Sequence, residues 1–80
     1  MQMNQITLLR LDILASIYAE SCSFIELCKR DFLQGKPPHL VHIFVSGLER
    51  DRLIRRTKAG QYKAYRPKAR KILNSHGYEV

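Results

Sequence analysis

Acidic residues are scarce in this chain: seven Asp and Glu stand against fourteen Lys and Arg in 80 residues, a formal net charge of +7. That imbalance favours polyanionic partners. Long apolar runs are missing too, and none approaches the roughly 20 residues that span a bilayer. The first residues lack the basic region, apolar run and small-residue cleavage site of a secretory signal. A cytoplasmic chain without membrane association is therefore expected. Cysteine is limited to Cys22 and Cys28, which stay reduced in that compartment and sit too near one helix to bridge. Together with His39 and His42 they invite a zinc reading. However, five residues separate the cysteines, against roughly two to four in common zinc spacings, so no metal is expected.

The chain also lacks a glycine-rich phosphate loop, a nucleophile elbow and a pair of carboxylates for acid–base chemistry. Asp12, Glu20, Glu26, Asp31 and Glu49 are spread along helical segments as surface charges. A chain of this size forms one domain, residues 1–80, and buries only roughly 60% of its unfolded surface. Little room remains for a cleft as well as a core. An enzyme is not expected, nor any cofactor. No internal repeat or low-complexity linker divides the chain.

The charge that is present is unevenly placed. Residues 1–49 hold four Lys or Arg and five Asp or Glu, a net −1. Residues 50–71 hold ten Lys or Arg and only Asp51, a net +9 within 22 residues. The tail adds Glu79.

Hydrophobic periodicity predicts an α+β, mostly α fold. A first helix over 5–19 presents Ile6, Leu9, Ile13, Leu14, Ile17 and Tyr18 as one stripe, with Leu8 and Leu11 off it. A second, over 24–33, starts at a Ser23–Glu26 capping box. It buries Phe24, Leu27, Cys28 and Phe32 and turns Lys29 and Arg30 outward. Gly35 suits a left-handed cap, and Pro37 and Pro38 stop the helix. A third helix over 38–51 opens with proline at its first position and buries Val41, Phe44, Val45 and Leu48. Its Gly47 costs roughly 1 kcal/mol against alanine, either tolerated or allowing a helix or backbone to approach. A hairpin over 53–66 follows, with strands over 53–57 and 62–66 around Gly60 and a stop at Pro67. Tyr62 and Tyr65 then face opposite sides, one of them to the core. A short helix over 69–74 returns Ile72 and Leu73 to the core or to a partner.

Three helices and then a hairpin, with Leu48-Glu49-Arg50-Asp51-Arg52-Leu53-Ile54-Arg55-Arg56 at the junction, resemble the winged helix-turn-helix superfamily. In its bacterial and phage members a recognition helix ends in Leu-Glu, followed by two residues, Gly, Leu-Ile, one residue and Arg. Here Arg52 stands where that pattern has glycine, so either the helix runs further or Arg52 takes an unusual conformation. The resemblance covers about residues 6–73 and implies a three-helix winged helix-turn-helix with a two-stranded wing and a short C-terminal helix.

It also implies binding of double-stranded DNA, with the third helix in the major groove and the wing on the backbone or minor groove. The groove-facing positions are then His39, His42, Ile43, Ser46 and Arg50, with Lys36 placed for a phosphate. Arginine pairs with guanine, and Ile43 suits a thymine methyl. On the wing, Arg55, Arg56, Lys58, Lys63 and Arg66 grip phosphates, and Lys58 suits a narrow minor groove. The leading expectation is a homodimeric, sequence-specific transcriptional regulator, nucleoid-associated when bound. The alternatives are a DNA-architectural or excisionase-like accessory protein of a phage or plasmid, and a module that grips a protein partner through Leu8, Leu11 and the 78–80 tail.

Overall fold

The first helix, α1 (Gln5–Ala19), is apolar on more than one side because three elements pack around it: α3, α4 and strand β3. This computed structural model describes residues 5–80. In chain order the elements are α1, β1 (Cys22–Ser23), α2 (Phe24–Cys28), a 3-10 turn (Asp31–Leu33), α3 (Pro38–Arg50), β2 (Ile54–Arg56), β3 (Gln61–Ala64) and α4 (Arg66–Ser75). The protein is thus α+β and mostly helical, with one small antiparallel sheet.

The single-stripe reading of α1 needs correction at two positions. Leu11 lies in the core with Ile13, Leu14 and Ile17, whereas Ile6 is 67% exposed. The reason is tertiary. Leu11 shares a small apolar cavity with Leu14, Leu48, Leu53 and Ile72, so α4 covers a side that periodicity left uncovered.

The second helix is shorter than expected. Its start is as read: Ser23 Oγ accepts from the Glu26 amide at 3.2 Å, and Glu26 Oε1 accepts from the Ser23 amide at 3.0 Å. It ends at Cys28, and Arg30 is extended (φ −68°, ψ 146°) before the 3-10 turn begins. The break shifts the register, so Leu33 is buried and Phe32 is 37% exposed, the reverse of the expectation. Nor does Arg30 point outward. Its guanidinium donates to the carbonyl of Ser16 at 2.8 Å, to the Ser16 hydroxyl, and to the carbonyl of Glu20 at 3.1 Å. It thereby adds charged donors at the end of α1, and this offsets the helical bonds lost at the break.

Helix α3 begins at Pro38 and buries Val41, Val45 and Leu48. A Cβ built on Gly47 meets nothing within 4 Å, so no neighbouring element of the chain requires glycine there. The helix ends in a Schellman motif: Leu53 N–H donates to Leu48 O at 2.9 Å, and Arg52 N–H donates to Glu49 O at 3.0 Å. Leu48 and Leu53 are both buried beneath it, the apolar contact that usually accompanies this cap. Of the two alternatives for Arg52, the unusual conformation holds, with φ +59°.

The sheet order is β1-β3-β2, all antiparallel. Strand β1 was not read from the sequence. Two residues show no alternation, and only the pairing of Cys22 with Tyr62 and Ser23 with Gln61 makes them a strand. The hairpin turns through Thr57–Gly60, with Gly60 at φ +79°, a region open to glycine. It is shorter than expected, because Arg66 opens α4. Pro67 sits in the first turn of α4, where its missing N–H costs nothing. Ala69 and Leu73 dock α4 on the core. The tail folds back so that Tyr78 O–H donates to Asp12 Oδ1 at 2.5 Å. Burial first, and then that carboxylate, push the Tyr78 hydroxyl pKa up to about 12.

Candidate nucleic-acid interface

Two surfaces carry the residues singled out by sequence. The first is the outer side of α3. His39, His42, Ile43 and Arg50 are exposed and Ser46 is half-buried. Positions 39, 42, 43, 46 and 50 recur at helical spacing and form one stripe opposite the Val41–Val45–Leu48 face. Ile43, 61% exposed, puts an apolar group at the centre of this polar strip. His42 packs edge-on against Phe24 at 6.1 Å between ring centroids, so α2 steadies the imidazole. Lys36 is exposed just before α3 and borders an apolar groove lined by Ile6, Leu8, Phe32 and Phe44, among others.

The second surface is the β2–β3 hairpin, whose register sorts its cations by face. Arg55 lies directly opposite Lys63, and both are exposed. Like charges directly across a ladder destabilise a sheet, so this pair weakens the isolated hairpin. Lys58 is exposed in the turn. Arg56 falls on the other face, opposite Tyr62. Its guanidinium donates to the Tyr62 hydroxyl at 2.8 Å, lies 5.2 Å from that ring's centroid and stands 3.9 Å from Glu49 Oε1. Tyr62 is fully buried, so Arg56 satisfies its hydroxyl and ties the hairpin to the end of α3. Arg56 is therefore held by contacts within the chain, although its side chain stays 54% exposed.

Arg66 is also engaged. From the first turn of α4 its guanidinium stacks 4.1 Å above the Tyr18 ring and donates to Tyr18 O at 3.0 Å. It closes the end of α1, as Arg30 does. Lys68 donates to Asp51 O at 2.7 Å. All ten cations of the 50–71 segment are exposed, and among the described residues Arg50, Arg52, Arg55, Lys58, Lys63, Arg70 and Lys71 have no side-chain hydrogen bond or ion pair. Three of these, Arg52, Arg70 and Lys71, were counted in the bulk charge but not read as site residues. Only the folded chain shows which cations are already occupied.

Among the described residues, no three His, Cys, Asp or Glu side chains come together as metal ligands. Cys22 and Cys28 are free thiols. Burial pushes both thiol pKa values up, which keeps them protonated and unreactive. Among the described residues, no helix is long and apolar enough to cross a membrane. Comparisons with protein-family models, curated proteins and solved structures find no match to this chain.

Proposed function

We propose that this protein is a sequence-specific, duplex-DNA-binding transcriptional regulator of winged helix-turn-helix type. In this reading α3 enters the major groove and the β2–β3 hairpin lies on the backbone or minor groove. The observation that carries it is the placement of uncommitted cations. Arg50 closes α3, Arg55 and Lys63 sit face to face on the outer side of the hairpin, and Lys58 lies in its turn. A polyphosphate bridging Arg55 and Lys63 converts their repulsion into binding energy by releasing condensed counterions. The helix–helix–helix–hairpin order supports the same reading, and β1 adds a strand that holds the hairpin beside α2.

Within this reading the residues divide by task. Arg55, Lys58 and Lys63 contact phosphates, as does Lys36 ahead of α3. His39, His42, Ile43, Ser46 and Arg50 face base edges, where sequence is read. Binding is as a homodimer on a two-fold site. A titration against duplex DNA, single-stranded DNA and RNA at two salt concentrations tests the proposal. Preference for duplex with a steep salt dependence supports it, and footprints with half-sites about one helical turn apart support the dimer. Equal binding to all three polymers, or none, sinks it.

A second reading, a module that grips a protein partner, draws on the apolar groove where Ile6, Leu8 and Phe32 are exposed. Leu11 lends it nothing, being core. Reversing the charges of Arg55 and Lys63 discriminates the two, since only DNA binding depends on them.

A further inference from the structure

We infer that Arg52 is a phosphate-contacting residue, kept at a backbone position where its side chain makes the fold less stable. The inference rests on the duplex-DNA reading and adds a residue to it. Arg52 has φ +59°, the only positive φ outside glycine among the described residues. An L side chain in that region crowds the following carbonyl, and glycine occupies it freely. The position is C′ of the Schellman motif that ends α3, where glycine is the usual occupant.

The strain is not relieved by a local contact. Arg52 is exposed, and among the described residues its guanidinium has no hydrogen-bond or ion-pair partner. Its neighbour Asp51 is held on two sides: the carboxylate pairs with Arg10 of α1, and the carbonyl accepts from Lys68 of α4 at 2.7 Å. The Leu53–Leu48 and Arg52–Glu49 backbone bonds close the turn from within. Three helices therefore fix this turn, which is how a strained conformation persists. The result is a guanidinium on a rigid support, between Arg50 at the end of α3 and Arg55 on β2. A cation held there meets a phosphate without first ordering its backbone.

Three variants separate the backbone role from the charge. Arg52→Gly removes both strain and charge, Arg52→Gln removes only the charge, and Arg52→Lys keeps both. Arg52→Gly should raise the Tm of the free protein by about 4–8 °C. On a mixed-sequence duplex it should also reduce the slope of log K against log salt by about 0.9, the loss of one phosphate contact. Arg52→Gln should show the same loss of slope at nearly unchanged Tm, and Arg52→Lys should restore the wild-type slope. If wild type binds the duplex and Arg52→Gln keeps the full slope, the role of Arg52 is overturned and the duplex-DNA reading stands. If wild type shows no salt-dependent binding, both fall together.

Discussion

The two halves of this molecule handle their arginines differently. Before residue 50 the chain is nearly neutral, and its two arginines serve the fold: Arg10 pairs with Asp51, and Arg30 closes the end of α1 through Ser16 and Glu20. From Arg50 to Lys71 only Arg56, Arg66 and Lys68 are engaged within the fold, by Tyr62 and Glu49, by Tyr18, and by Asp51. The other cations of that segment have no side-chain hydrogen bond or ion pair among the described residues. Hence the arginines of the first region contribute to stability, and the unpaired cations of the second repel one another at a cost to it. Arg56 and Arg55 make the point most directly: they are adjacent in sequence, yet one is tied to Tyr62 and Glu49 and the other has no side-chain hydrogen bond or ion pair among the described residues.

The strongest test of that contrast is the double substitution Arg55→Glu and Lys63→Glu. Duplex affinity should fall on the order of a hundredfold at low salt, with the salt slope lower by about 2. The cross-strand repulsion changes sign of charge but not size, so Tm should move little. An electrophoretic titration and a thermal melt read the two effects. A large fall in Tm would mean that the outer face of the hairpin is structural after all.

The converse comes from Arg30→Ala, which removes the guanidinium bonds to the Ser16 carbonyl, the Ser16 hydroxyl and the Glu20 carbonyl. Charged hydrogen bonds of this kind are worth about 1–3 kcal/mol in total when partly exposed, so denaturant unfolding should show that loss. DNA affinity should be unchanged once the protein is kept folded. A matching loss of affinity would erase the division between the halves.

Ser23→Ala removes the N-cap of α2 and should cost about 1 kcal/mol. The same box makes stability pH-dependent. Hydrogen bonds from Ser23 hold the Glu26 carboxyl below its ordinary value of 4.5. A depressed carboxylate stabilises the fold at pH values above 4.5. The contribution fades as pH falls through the folded-state value, because protonation then favours the unfolded chain. Glu26→Gln removes the titrating group, so wild type should lose more stability than Glu26→Gln between neutral and acid pH, and parallel pH profiles would exclude the box as the cause.

The smallest expected effect is at Gly47, where open space surrounds a built Cβ. Gly47→Ala should stabilise α3 by roughly 0.5–1 kcal/mol. Unchanged DNA affinity would show that the glycine is only tolerated, and a fall in affinity would show that a ligand backbone approaches it.

Much of the fold was legible because its signals are local. The Ser23–Glu26 box and Pro38 at a helix start each act within one turn of chain, and both appear where the residues put them. Strand β1 was illegible because a two-residue strand exists only through its partner. The break at Arg30 was illegible because its compensation lies on α1, fourteen residues earlier in the chain.

The sequence by itself determined the helical order, the capping signals and the concentration of positive charge between Arg50 and Lys71, all properties of composition and near-neighbour spacing. Tertiary structure alone decided that Leu11 is core and Ile6 is not, that Arg66 belongs to α4, and which cations remain free. A side chain's availability depends on what the fold brings against it, and those contacts join residues far apart in sequence. Arg56 meets Tyr62 across a strand pair, Arg66 meets Tyr18 across 48 positions, and neither meeting is written in either residue's surroundings.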